Sequence, residues 1–244
     1  MRIKVITFTI SMLAISVSIF GQSQNQQPTS TKTTTQPKEP MEKMDNFVVD
    51  LGYEMLMFEN KPNGLDFKPW NNGMSFYLLY DRPIMTSNFA IAIGGGISSQ
   101  SYYSNSQIRR VGNDEKEDYS TFQKLPDSVD YRNNKVALTY LDIPLELRYR
   151  SNEDNRGHRW KLTLGFKAGW QFDVHDKLVI DNNRKDKYKT YIFPDLHEFR
   201  YGAYFRAGYG KVGLNAYYGL SPLFNEGHGP EATQLSIGVT ITPF

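Results

Sequence analysis

The 244-residue chain contains no cysteine. That absence removes disulfide frameworks, thiol catalysis and thiolate metal sites, and it leaves no lipidation cysteine near the N-terminus. Charge of one sign is also scarce: 28 Lys and Arg against 26 Asp and Glu give a formal charge of +2. So small an excess does not argue for nucleic acid, and no basic stripe interleaved with aromatics occurs. Nucleophile and metalloprotease signatures are missing too: the sequence has no G-x-S-x-G, no S-x-x-K and no H-E-x-x-H. Beyond the N-terminal segment no window is apolar enough for a membrane helix, and the mean hydropathy is −0.53.

What is present begins with residues 1–21. Arg2 and Lys4 precede an apolar stretch to Phe20, and Gly21 suits the last position of a signal peptide. An uncleaved helical anchor is the rival reading, but polar Gln, Ser and Thr follow with no basic stop-transfer run. Residues 22–46 are Gln, Thr, Ser, Pro and Lys with almost nothing apolar. Such a segment buries too little surface to offset its ordering entropy, which predicts a disordered periplasmic arm.

From Phe47 onward, period-two alternation recurs eight times over about ten residues each, the membrane-strand pattern. The first segment sets Val49, Leu51, Tyr53, Met55 and Met57 against Asp50, Gly52 and Glu54. The second sets Met74, Phe76, Leu78 and Tyr80 against Ser75, Tyr77 and Asp81, and the third Phe89, Ile91, Ile93 and Ile97 against alanines and glycines. The fourth opposes Leu141, Ile143, Leu145, Leu147 and Tyr149 to Asp142, Pro144, Glu146, Arg148 and Arg150. The clearest is the fifth, with Trp160, Leu162, Leu164, Phe166, Ala168, Trp170 and Phe172 against Lys161, Thr163, Gly165, Lys167 and Gly169. The sixth and seventh cover 199–209 and 212–220, and the eighth alternates Leu235, Ile237, Val239 and Ile241 with Ser, Gly and Thr. A Lys or Arg facing lipid at mid-membrane costs roughly 2–4 kcal/mol. The apolar faces must therefore point outward and the charged faces into a lumen. A soluble sandwich would invert that arrangement. Aromatic strand ends favour the membrane reading. The predicted fold is all-β, an eight-stranded antiparallel up-and-down transmembrane β-barrel over residues 47–244.

Connections 81–87, 151–158 and 209–211 are short, whereas 59–72, 99–135, 173–197 and 221–231 are longer and polar. Short periplasmic turns and long external loops are the outer-membrane rule. The run from Tyr140 through Leu141, Asp142, Ile143, Pro144, Leu145, Glu146, Leu147 and Arg148 to Tyr149 resembles a strand of the PorT-like outer-membrane β-barrel proteins of Bacteroidota. That resemblance implies a barrel and an outer-membrane location; it assigns no activity, because fold does not carry function. At the C-terminus, Phe244 falls on the Thr240–Thr242 parity rather than the apolar one, and Pro243 predicts a bulge or bend.

The predicted lumen network comprises Asp50, Glu54, Asp142, Glu146, Arg148, Lys161, Lys167, Arg200, Arg206 and Lys211. An eight-stranded barrel has room only for its own side chains, so these charges must be paired or solvated. They read as a polar plug; a narrow ion path is the alternative. His175, His197 and His228 fall in predicted loops near Asp173, Asp176 and Asp195. They read as loop decoration, with a rim hydrolase or metal site as the sharper alternative. Gly94, Gly95 and Gly96 lack the Lys-Ser/Thr of a phosphate loop and lie within a strand. Charge runs at 109–118 and 181–189 read as solvated surface, or else as contacts to lipopolysaccharide phosphates. The sequence thus predicts no catalytic, cofactor or metal residues and no nucleic-acid partner. Its predicted partners are outer-membrane lipid and lipopolysaccharide. The expected role is that of a non-enzymatic scaffold or surface-interaction protein; a small-solute channel, or a subunit of a transport or secretion complex, is the alternative.

Overall fold

The computed structural model describes residues 46–112, 119–181, 186–191 and 193–242. The predicted signal peptide, all of the predicted arm but Asn46, and the Pro243–Phe244 end lie outside the described residues. Eleven strands follow in chain order: β1 Phe47–Phe58, β2 Asn72–Pro83, β3 Phe89–Tyr103, β4 Ser106–Val111, β5 Tyr119–Lys124, β6 Tyr131–Arg150, β7 Trp160–Ile180, β8 Lys187–Thr190, β9 Phe199–Tyr209, β10 Val212–Gly219 and β11 Ala232–Ile241. Among the described residues no helix is long and apolar enough to cross a membrane.

Eight strands (β1, β2, β3, β6, β7, β9, β10 and β11) form one antiparallel wall in which each pairs with its successor. The β6–β7 ladder and the β1–β11 ladder, the latter running from Val49 opposite Ile241 to Phe58 opposite Ala232, close the ring. Closure leaves no sheet edge in the membrane, the condition for a spanning β structure. The tight turn at Gly210–Lys211 shows how locally this topology is written. Gly210 sits at φ 63°, as the first position of a glycine-led hairpin turn requires.

The alternation sorts as the charge cost demands. Leu164 and Leu214 are 61% and 68% exposed on the outer face, while Asp142 and Glu146 are 0% and 2% exposed inside. Aromatics flank this apolar belt. At the short-turn end Phe89 meets Tyr149 and Trp160 meets Tyr209, with ring centroids 5.2 Å apart in each pair. Glycines on the inner wall make room for the filling: a methyl group at 165 would fall on the Tyr204 ring, and one at 169 on the Asp142 carboxylate.

The long connections differ from expectation. Residues 99–135 and 173–197 are not simply polar loops. β3, β6 and β7 run on beyond the apolar belt, β4 and β5 form a separate hairpin, and β8 pairs with the end of β7. The physical reason is a change of apolar face along one strand. On β6, Leu141, Ile143, Leu145 and Leu147 point outward, whereas Val136, Leu138 and Tyr140, on the other parity, are buried inside. These join Leu65, Tyr102, Ile108, Phe122, Leu196, Leu223 and Phe224 in one cluster at the long-loop end. On β7 the register slips: Gln171 faces Tyr140 and Asp173 faces Thr139, so Phe172 is an extra residue. That bulge turns Val174, Asp176 and Leu178 inward.

Candidate functional site

The lumen is filled in three tiers. Nearest the short turns, acids and bases alternate in an unbroken chain. Arg206 Nη2 lies 2.7 Å from Asp50 Oδ2, and its Nη1 lies 2.5 Å from Glu146 Oε1. Arg148 takes the other Glu146 oxygen at 2.6 Å and reaches Asp81 at 3.1 Å, where Arg150 also pairs. The Tyr204 hydroxyl donates to Glu146 Oε1 at 2.6 Å. Each ion here but the partly exposed Asp50 is buried, and burial of a charge is tolerable only with partners of this quality.

The middle tier is built on Asp142. Arg200 Nη2 donates to both its oxygens, at 3.0 and 2.9 Å, and the hydroxyls of Ser98 and Tyr77 donate to Oδ2 at 2.7 and 3.1 Å. Lys167 donates to the Tyr77 hydroxyl at 3.0 Å and stands 3.7 Å from Asp142. Arg200 also reaches Gln100 and Gln234, and its guanidinium carbon lies 3.8 Å from the centre of the Tyr140 ring. Such stacking suits a planar, weakly hydrated cation. Glu54, in the same half of the barrel, accepts from Ser236 at 2.9 Å.

The third tier is the apolar cluster over the Tyr140 ring. The β4–β5 hairpin lies across it, with Ile108 and Phe122 buried and the Phe122 ring packed edge-on against Phe58 and Phe224. Polar ties hold the hairpin down. Asn134 donates to the carbonyls of Ser104 and Ser106, and the Ser120 hydroxyl donates to Asp195 at 2.6 Å with Arg110 3.6 Å away. Asp176, on the part of β7 beyond the apolar belt, is buried beside Gln107 and Arg109 of β4. Burial raises its carboxyl to about 6, although Arg109, the Lys177 amide and Gln107 oppose the shift.

Of the ten predicted lumen residues, Asp50, Glu54, Asp142, Glu146, Arg148, Lys167, Arg200 and Arg206 lie within these tiers. Lys161 is at the short-turn mouth, donating to Thr242 at 3.1 Å. Lys211 is a correction: it is exposed in the turn after β9 and is not part of the wall, because the two-residue hairpin places it outside both strands. Asp81 and Arg150 belong to the network although the prediction left them out. Their parity was the available signal; both occupy strand ends, where alternation is weakest. Tyr140, Gln100 and Gln234 were missed because uncharged residues do not stand out. The histidines are dispersed. His175 Nδ1 contacts Asp173 at 2.8 Å, His197 accepts from the Phe199 amide, and His228 contacts the Glu226 carbonyl. Among the described residues no group of three or more His, Asp or Glu side chains could hold a metal.

A closed eight-stranded wall, apolar outside and ionic inside, with aromatic rims, defines a small transmembrane β-barrel. Over residues 20–225 the chain matches the family described as Outer membrane protein beta-barrel domain, and it belongs to that family. β11, which closes the ring, lies beyond the matched residues. No curated protein and no solved structure matches the chain.

Proposed function

We propose that this outer-membrane barrel is a closed, non-enzymatic scaffold whose folded long-loop end meets partners outside the cell. The observation that carries the reading is the filling of the lumen. The ion chain from Asp50 to Arg150, the Asp142–Arg200 tier and the apolar cap follow one another along the barrel. The cavity at the short-turn mouth, between Arg148, Lys161 and Arg206, holds only about 30 Å³. That is room for about one or two waters, not a solute path. Short turns and both strand termini then lie on the periplasmic side, and residues 1–21 act as a cleaved export signal. Within the family, the Tyr140–Tyr149 run supports a place in the PorT-like group. Outer-membrane lipid contacts the apolar belt, and lipopolysaccharide contacts the outer rim.

The test is electrical. Purified protein in planar bilayers should show no steady conductance. Reproducible ion-selective steps that vanish on Glu146→Gln or Arg206→Gln would overturn the closed-scaffold reading in favour of a channel.

A further inference from the structure

β3, β6, β7 and β8 run on together past the apolar belt, and their register lines up one kind of charge. Tyr103 faces Lys135, Lys135 faces Lys177, and Lys177 faces Lys189. Partners in register share a face of the sheet. Lys135 keeps the outward parity of Leu141 on β6, and the bulge that turns Asp176 and Leu178 inward turns Lys177 outward. Three lysines thus stand side by side on the outer wall, with Cα atoms about 5 Å apart from strand to strand. Lys187 shares the parity of Lys189 on β8 and extends the patch. Lys187 and Lys189 are exposed, and Lys135 and Lys177 are half-buried.

Like charges directly opposite on neighbouring strands destabilise a sheet. Among the described residues no Asp or Glu forms an ion pair with any of these four lysines. Asp173, nearer the belt on the same face, is taken by His175 at 2.8 Å, and Asp176 points inward. Asp181 and Asp186 belong to the turn end between β7 and β8. Lys135 is held in place by uncharged groups: its Nζ donates to Ser101 Oγ at 3.2 Å and lies 5.4 Å from the centre of the Tyr103 ring. The row is also high. Lys135 lies six residues beyond Leu141, where the belt ends on β6. At about 3.4 Å per residue and a tilt near 40°, that is about 16 Å above the belt. The interfacial layer of phospholipid headgroups is only about 5–8 Å deep.

We infer that the Lys135–Lys177–Lys189 row binds a phosphate carried on the saccharide of an outer-leaflet glycolipid. A phosphate monoester brings nearly two negative charges and three acceptor oxygens, and the row offers it one ammonium from each of three strands. The phosphate relieves the repulsion that the register imposes. The height of the row selects the sugar-borne phosphate over that of a phospholipid, and the belt below takes the acyl chains of the same molecule. The inference rests on the outward orientation proposed above and gives the lipopolysaccharide contact of the outer rim its site.

The test uses the full barrel folded in an amine-oxide detergent without divalent cations. The probes are a phosphorylated lipooligosaccharide, the same lipooligosaccharide stripped of phosphate with hydrofluoric acid, and phosphatidylglycerol. Native mass spectrometry counts the lipid bound per barrel. Lys177→Gln combined with Lys189→Gln should raise the lipooligosaccharide concentration for half-occupancy by about tenfold while heat-modifiable mobility is kept. Lys61→Gln combined with Lys124→Gln removes the same charge elsewhere at the long-loop end and should shift it by less than about twofold. Removing the phosphates should weaken binding as much as the first pair does, and Lys177→Arg combined with Lys189→Arg should preserve it. If the first pair fails to fold, Lys189→Gln is read alone, with an expected loss of about threefold. Equal shifts from the two glutamine pairs overturn the proposal. So does undiminished binding of the stripped lipooligosaccharide, or binding of phosphatidylglycerol at the same concentration. Orientation is read separately. Lys189→Cys gives this cysteine-free chain one thiol, which a membrane-impermeant maleimide should label in intact cells. Labelling without lipooligosaccharide binding overturns the site alone, whereas a thiol shielded in intact cells overturns the outward orientation and the site with it. The conductance result is independent of both.

Discussion

At the scale of single residues, the two cations near Asp142 are not equivalent. Arg200 gives that carboxylate two charge-assisted bonds and also joins Gln100, Gln234 and the Tyr140 ring. Lys167 reaches it mainly through the Tyr77 hydroxyl. Arg200→Leu should therefore destabilise the barrel by about 3–5 kcal/mol, the cost of stranding a buried charge. Lys167→Met should cost less than half as much in the same urea unfolding series; equal losses would show that the two share the load. Asp176 makes a prediction of opposite kind. Its folded carboxyl lies near 6, above its ordinary value, so protonation favours the folded cap. Its stabilising contribution is complete below about pH 4 and is lost as pH rises through about 6. Hydrogen exchange of the β4–β5 amides should thus slow as pH falls from 7 to 5, after correction for intrinsic rates. Asp176→Asn should flatten that dependence and slow exchange at pH 7.

At the scale of elements, the β4–β5 hairpin is a cap laid on an already filled barrel. Replacing residues 105–130 by a short Gly-Ser turn should leave a heat-modifiable barrel that still does not conduct, because the two ionic tiers lie below it. Conductance in that deletion would place the seal in the cap rather than in the ion network. The hairpin is also where the sequence was least legible. Strands in contact with lipid announce themselves: on β7 every outward position from Trp160 to Trp170 is apolar or small, because one charge there is costly. The same economy exposed the inward charges, and with them Asp142, Glu146, Arg200 and Arg206. Beyond the belt the rule lapses. Ile108, Phe122, Val136 and Leu138 bury apolar surface inward among polar neighbours, and the bulge at Phe172 reverses the parity without leaving a Gly or Pro to mark it. Periodicity read from the membrane strands therefore ends where the chain leaves the lipid.

At the scale of the whole molecule, the wall is of very unequal height. β6 and β7 have 20 and 21 residues, whereas β10 has 8. At about 3.4 Å per residue and a tilt near 40°, β10 rises about 21 Å, less than the apolar band of about 25 Å usual for such barrels. β7 rises about 55 Å on the same reckoning. One flank thus carries the folded superstructure, while β10, two strands away from β7 in the ring, falls short of the bilayer. Hydrophobic mismatch is met by thinning the membrane or leaning the protein, at a fraction of a kcal/mol per Å. The barrel should melt at a higher temperature in vesicles of short-chain lipid than in those of long-chain lipid, and a flat response would mean the turns around β10 make up the height. In a native bilayer the lipid beside β10 would then sit in a dimple of the barrel's own making, where shorter-chain lipids gather and a neighbouring protein with an equally low strand would find its lowest-energy berth.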